Sequence, residues 1–202
     1  MCREENANCK TYICRDCYLN LEIVDKEIHI DSPYIHKSYY SLLYNRYLRE
    51  QMTHYKFNGK SYLYKPFGEI MVDTIEKKRI GKDIDLIIHI PSHRRKEALR
   101  GYNQAELLAS YISKTLDKPL SKGNLVKEKW TKEQSGLNRL DRTINLKDSF
   151  NINNSEEIKS KKILLIDDII TTGATMEECS KILLRSGAIE IIGLALTSSK
   201  IQ

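Results

Sequence analysis

Two adjacent carboxylates, Asp167 and Asp168, close the apolar run Ile163–Ile166 and precede Thr171-Thr172-Gly173-Ala174-Thr175. Paired carboxylates at a strand end are costly without partners. The hydroxyls of a sugar would satisfy both. Gly173 lets the backbone approach a ligand closely. A helix opening at this loop adds unpaired N–H groups and a partial positive charge. The threonine hydroxyls add further donors, so the turn suits a dianionic phosphate carried on a sugar. The bland alternative is an ordinary helix cap beside a solvated Asp pair. The fixed order of apolar strand, two Asp and Thr-Gly loop favours the phosphate cradle. The loop lacks the G-x-x-x-x-G-K-[ST] pattern, which excludes a nucleotide-binding P-loop.

A second constellation follows the apolar run Leu86–Ile90. Ser92, His93, Arg94, Arg95, Lys96 and Arg100 crowd the segment after Pro91. Arginine binds phosphate oxygens bidentately, so the cluster offers a second anion subsite; its plain alternative is a solvated basic face. Asn103 and Gln104 open the next helical pattern, where either could simply cap it.

The third constellation is Cys2, Cys9, Cys14 and Cys17, spaced C-x6-C-x4-C-x2-C. Such crowding reads as metal binding before disulfides. Cys14 and Cys17 have zinc-knuckle spacing, and a structural Zn²⁺ would staple a segment too small for its own core. An unoccupied relic and a redox pair remain as alternatives. Cys179 falls on an apolar helix face and reads as core packing.

The elements that position these groups alternate. Leu86–Ile90, Ile163–Ile166 and Ile189–Thr197 read as buried strands. Ala105, Leu108, Ala109, Ile112 and Leu116 mark one amphipathic helix. Met176, Cys179, Ile182 and Leu183 mark another, ended by Gly187. Strands separated by helices of this length predict an α/β fold with a mostly parallel, twisted sheet flanked by helices. Ligands then sit beyond the carboxyl ends of the strands. Upstream, Tyr40, Leu43, Tyr44, Tyr47, Leu48, Gln51 and Met52 follow a helical period. A further helix opens near Pro66, with Phe67, Ile70, Met71 and Ile75 inward. The chain divides into a cysteine-rich segment (1–32), a Tyr-rich helical connector (33–65) and an α/β domain (66–202). Residues 124–150 interrupt that domain as a polar excursion, read as a hairpin or lid.

The chain has 202 residues, 41% hydrophobic and 30% charged, which fits a globular class. No run reaches the roughly 18 apolar residues of a membrane span. The first residues show no signal peptide, so a cytoplasmic location is expected. The net charge of +6 is a modest bias toward anionic ligands. Ten of the twelve tyrosines precede residue 66. Mixed with Lys and Arg, they could stack single-stranded bases. Alternatively, Tyr40, Tyr44 and Tyr47 pack a helix onto the main domain.

ILLIDDIITTGAT, residues 163–175, resembles the phosphoribosyl-pyrophosphate (PRPP) signature of type I phosphoribosyltransferases. IPSHRRKEALRGYNQAELLA, residues 90–109, resembles the ComF family, the competence-associated branch of that fold. Its hallmark is Arg100-Gly101-Tyr102-Asn103-Gln104. Gln134, Leu137, Arg142, Asn145 and Phe150 match the family's spaced lid residues. The resemblance implies that Asp167 and Asp168 face the ribose 2- and 3-hydroxyls. It implies that Thr171, Thr172, Gly173, Ala174 and Thr175 cradle the 5-phosphate, with the basic loop toward pyrophosphate. Mg²⁺ is implied with PRPP, and zinc at the cysteines. ComF-like chains usually carry two C-x2-C knuckles, and this one departs from that. Either Cys9 serves as the fourth ligand, or the true start lies upstream.

The resemblance also implies a role in DNA uptake, handling single-stranded DNA with a competence helicase. Alternative expectations are a metabolic phosphoribosyltransferase with an unidentified acceptor, and a PRPP-sensing regulator without turnover. No general base stands out in the sequence.

Overall fold

The structure, a computed structural model, describes residues 12–128 and 149–199. In chain order its elements are α1 (Arg15–Asn20), β1 (Ile23–Glu27), β2 (Lys37–Leu43), α2 (Arg46–Phe57) and α3 (Tyr64–Lys78). Then come β3 (Leu86–His89), α4 (Arg94–Arg100), α5 (Gln104–Leu116), β4 (Leu120–Ser121) and β5 (Leu125–Lys127). The chain continues with β6 (Phe150–Ile152), β7 (Lys162–Ile170), α6 (Ala174–Arg185) and β8 (Glu190–Ser198).

Six strands form one sheet in the order β1-β2-β8-β7-β3-β4. All neighbours run parallel except β1 against β2. The expected α/β architecture with a mostly parallel sheet is therefore present. Its centre is apolar on both faces, which explains the uninterrupted hydrophobic runs. Side chains alternate across the sheet. Leu164 and Ile166 join Leu48, Tyr55, Phe67, Met71, Leu108 and Ile112 under α2, α3 and α5. Ile163 and Leu165 join Met176, Cys179 and Leu183 under α6. Cys179 is fully buried, as expected of a packing residue.

The helix expected from Tyr40 onward starts later. Residues 37–43 form a strand paired with β8, and the helix begins at Arg46. Asn45 sets that start: its Oδ1 accepts from the Leu48 amide at 2.8 Å. Tyr39, Tyr40, Ser41 and Leu42 are all buried. Burial on both faces removes the two-residue alternation that marks a strand in sequence. β1 and β2 carry the main sheet into the N-terminal third. Ile13, Cys17 and Leu21 pack in the same cluster as Phe67 and Leu108.

The polar excursion is anchored by a two-stranded antiparallel ribbon, β5 with β6. The lid residues Gln134, Leu137, Arg142 and Asn145 lie outside the described residues, as do Cys2 and Cys9. Among the described residues, no helix is long and apolar enough to cross a membrane.

Gly68 marks where α3 and α5 approach most closely. A Cβ there would lie 2.5 Å from Tyr111 Cδ1 and 2.9 Å from Tyr111 Cβ. Relieving that clash costs about 1–3 kcal/mol, against about 1 kcal/mol gained from helix propensity. Gly68→Ala is expected to lower stability by about 1 kcal/mol net, read from the urea midpoint.

Candidate functional site

β7 carries the acidic pair. The strand runs through Ile170, so Asp167 and Asp168 sit within its last half rather than beyond it. Thr171, Thr172 and Gly173 then turn the chain into α6, whose first residues are Ala174 and Thr175. Gly173 caps that helix at φ +89°, and a Cβ there would lie 2.9 Å from Ile30 Cγ2. Both the left-handed backbone and the close approach require glycine. The Thr172 hydroxyl accepts from the Ala174 amide at 3.4 Å. The first turn of an α-helix presents N–H groups that the helix itself does not satisfy, and Gly173, Thr175 and Met176 of this turn line a cleft.

β3 supplies the opposite wall. Its end leads through Ile90 and Pro91 into α4, so the expected basic loop is a short helix. His93 caps it, accepting from the Arg95 amide through Nδ1 at 3.2 Å. Ser92 Oγ donates to Glu97 at 2.9 Å. A cleft of about 260 Å³ opens between the two walls. Ser92, His93, Lys96 and Arg100 line it, together with Asp167, Asp168, Thr171, Gly173 and Thr175. Arg94 and Arg95 are exposed and do not line it; neither do Thr172 and Ala174.

The R-G-Y-N-Q segment is chiefly a joint. Gly101 ends α4 at φ +81°. Asn103 caps α5, its Oδ1 accepting from the Ala105 amide at 2.9 Å. Its Nδ2 donates to the Ile90 carbonyl at 3.2 Å, tying α5 to the end of β3. Tyr102 does not line the cleft; its hydroxyl donates to the Tyr55 carbonyl of α2. Gln104 does line it, and its Oε1 accepts from Arg100 Nη1 at 3.2 Å. Asn103→Ala removes a cap and the Nδ2 tie to the Ile90 carbonyl, which keeps only its longer contact with His89 Nδ1 at 3.4 Å. A stability loss of about 2 kcal/mol is expected, read by urea denaturation.

Two lysines that sequence reasoning passed over complete the site. Lys56, near the end of α2, places Nζ 2.8 Å from Asp168 Oδ2. Lys127, the last residue of β5, lines the cleft from the ribbon. Burial pushes its amine down to about 8, with Lys96 adding and Asp167 opposing. Asp167 moves the other way. Burial, reinforced by the Asp168 charge, pushes its carboxyl up to about 7, while Lys56 and backbone N–H groups oppose. Neither lysine belongs to a motif. Lys56 sits in a polar stretch that reads as a solvated helix end, and Lys127 flanks the polar excursion.

The acidic pair does not form a metal cage. Among the described residues, no three His, Cys, Asp or Glu side chains converge, and Asp168 already holds Lys56. A divalent cation here would have to be shared with phosphate oxygens of a ligand. At the N-terminus, Cys14 caps α1 and its Sγ accepts from the Cys17 amide at 3.5 Å. Two thiols one turn apart suit half of a tetrahedral zinc site.

A model of the phosphoribosyl transferase domain family matches residues 103–202. Competence protein F of Haemophilus influenzae is 34% identical over 148 residues, which cover 70% of this chain and 64% of that protein. Competence protein ComFC of Bacillus subtilis is 30% identical over 175 residues, 87% of this chain and 67% of that protein. The chain belongs to the ComF family. It spans about two thirds of the length of these two relatives. DNA utilization protein YhgH of Escherichia coli K12 is 31% identical over 104 residues, 52% of this chain and 45% of that protein. The family match and the mostly parallel sheet flanked by helices together give a phosphoribosyltransferase-type fold.

Proposed function

We propose that this ComF-family chain binds PRPP or another 5-phosphoribosyl ligand and serves DNA uptake, handling single-stranded DNA with a competence helicase. One observation carries the ligand: the acidic pair, the Gly173 turn at the start of α6 and five cleft-lining basic side chains all face one cavity. The turn takes the 5-phosphate and Asp167 and Asp168 take the ribose hydroxyls. His93, Lys96 and Arg100 then take the pyrophosphate. Mg²⁺ would come with the pyrophosphate oxygens and supply charge neutralisation for the leaving group. The names of the relatives, competence and DNA utilization proteins, support the DNA role.

The tyrosines narrow where DNA could stack. Tyr39, Tyr40 and Tyr55 are buried, and Tyr44 and Tyr47 pack against the core. Tyr12, Tyr18, Tyr62 and Phe57 are exposed, and of these Phe57 has the Arg100 guanidinium 4.8 Å from its ring centroid. Arg–aromatic pairs of this kind suit base stacking.

The test is binding of PRPP and of single-stranded DNA to wild type, Asp167→Asn and Asp168→Asn, with Phe57→Ala and Tyr62→Ala as DNA controls. Loss of PRPP binding in the Asp variants is expected. Unchanged PRPP binding in both would remove the ligand assignment, and unchanged DNA binding in the aromatic variants would remove the stacking surface.

A second reading is a phosphoribosyltransferase that turns PRPP over. It is favoured by Lys127, a cleft amine near 8 on the arm of a ribbon that could exclude water. PRPP-dependent pyrophosphate release with candidate acceptors tests it. PRPP binding without release under any acceptor would leave the sensing role. Zinc at the cysteines is tested by metal analysis of wild type and of Cys14→Ser with Cys17→Ser. Near-zero zinc and unchanged folding would discard it.

A further inference from the structure

Lys56 belongs to none of the motifs, yet it makes the only ion pair to the acidic pair among the described residues. Its Nζ lies 2.8 Å from Asp168 Oδ2, and the two side chains are 21% and 13% exposed. A lysine on an untethered surface helix gains little from such a contact. This one is not untethered. The preceding residue, Tyr55, donates its hydroxyl to the Gln104 carbonyl at 2.8 Å and accepts from Tyr102 on its own carbonyl. The following residue, Phe57, is held under Arg100. Both neighbours of Lys56 are therefore anchored on the R-G-Y-N-Q segment, which aims the ammonium at the strand end.

We propose that Lys56 is the resident counter-ion of the acidic pair: it takes, on Asp168, the place of a protein-bound divalent cation, so that a ribose 5-phosphate docks there without metal. The ribose clause rests on the phosphoribosyl reading above. Lys56 occupies Oδ2 only. Asp168 Oδ1 has no hydrogen bond among the described residues and is free to accept from a ribose hydroxyl. The local charge balance agrees. With Asp167 tending to hold its proton near neutrality, one lysine offsets the remaining carboxylate. Among the described residues, no third His, Cys, Asp or Glu joins the pair to recruit a metal. Lys56 thus orients the carboxylate rather than touching the reacting atoms, and is a positioning residue.

Two measurements test this on the full chain. The first is Mn²⁺ binding by water-proton relaxation, which needs no sugar ligand. Wild type is expected to show no Mn²⁺ site that depends on Asp168. Lys56→Met is expected to gain one, and Lys56→Met with Asp168→Asn to lose it. Lys56→Arg keeps the charge and is expected to behave as wild type, which separates a lost counter-ion from a damaged fold. Wild type binding Mn²⁺ at Asp168 as tightly as Lys56→Met, or no gain in Lys56→Met, overturns the proposal. The second is calorimetric titration with ribose 5-phosphate in EDTA and in Mg²⁺. Wild type is expected to bind equally in both. Lys56→Met is expected to bind about tenfold more weakly in EDTA, the loss of one charge-assisted contact, and to recover in Mg²⁺. Metal-dependent binding by wild type overturns the proposal. If wild type binds no ribose 5-phosphate in either buffer, the phosphoribosyl reading fails and the Mn²⁺ result alone decides the role of Lys56.

Discussion

Asp167→Asn is expected to stabilise the protein above pH 7, by on the order of 1–2 kcal/mol, and to leave it unchanged below pH 4. Burial and the neighbouring Asp168 charge push the Asp167 carboxyl from 3.8 up to about 7. Between those values the folded chain holds a proton that the unfolded chain releases. Stability therefore falls as pH rises from about 4 to about 7, and stays level beyond. A shift of this size is worth at most about 4 kcal/mol, and relaxation around a paired site brings the effect down to that range. Asparagine keeps the acceptor for the Asp168 amide, which Asp167 Oδ1 receives at 2.8 Å, and removes the charge. Thermal and urea unfolding at pH 4, 6 and 8 measure the effect. Equal stability of wild type and variant at pH 8 would show that the half-buried carboxyl carries no cost. The expected loss of ligand binding in the same variant makes Asp167 a place where stability is given up for function.

Affinity for ribose 5-phosphate is expected to trace a bell with its maximum between about pH 7 and 8. Ionised Asp167 accepts from a ribose hydroxyl more strongly than the protonated acid, which favours binding above about pH 7. Lys127 attracts phosphate only when protonated, which requires pH below about 8. If the ionised pair alone binds, affinity drops about tenfold per unit outside this window, so about a hundredfold by pH 5. Titration calorimetry across pH 5 to 10 reads the profile. Lys127→Met is expected to flatten the alkaline limb and leave the acid limb. Asp167→Asn, measured at higher protein concentration, is expected to keep the alkaline limb and to leave only the ligand's own titration on the acid side. A wild-type profile that is flat from pH 6 to 9 would detach both groups from the ligand.

The parts legible in the sequence are those where one local pattern has one physical meaning. Ile163–Ile166, Leu86–Ile90 and the stretch 191–196 are largely apolar on both faces because each is buried in the sheet centre, and no surface helix reads that way. The Thr171–Thr175 loop is legible because a glycine among threonines after an apolar strand marks a tight turn into a helix, and Gly173 adopts the left-handed backbone such a turn uses. Residues 37–43 were not legible: Tyr40 and Leu43 match a helical period by chance, and only pairing with β8 makes them a strand. The basic cluster was half legible. Composition located it, but the turn of α4 leaves Arg94 and Arg95 in solvent while His93, Lys96 and Arg100 reach the cleft.

The sequence alone determined the α/β fold, the ComF resemblance and the Asp167-Asp168 turn, because each shows as a pattern of residue types close together in the chain. The tertiary structure decided what faces that turn. Lys56 reaches Asp168 across more than a hundred residues of chain, and Lys127 enters the same cleft from the far side of the excursion. No local pattern encodes either meeting. Their positions follow from how α2 and the β5–β6 ribbon pack on the sheet, and that packing sets the charge balance of the site.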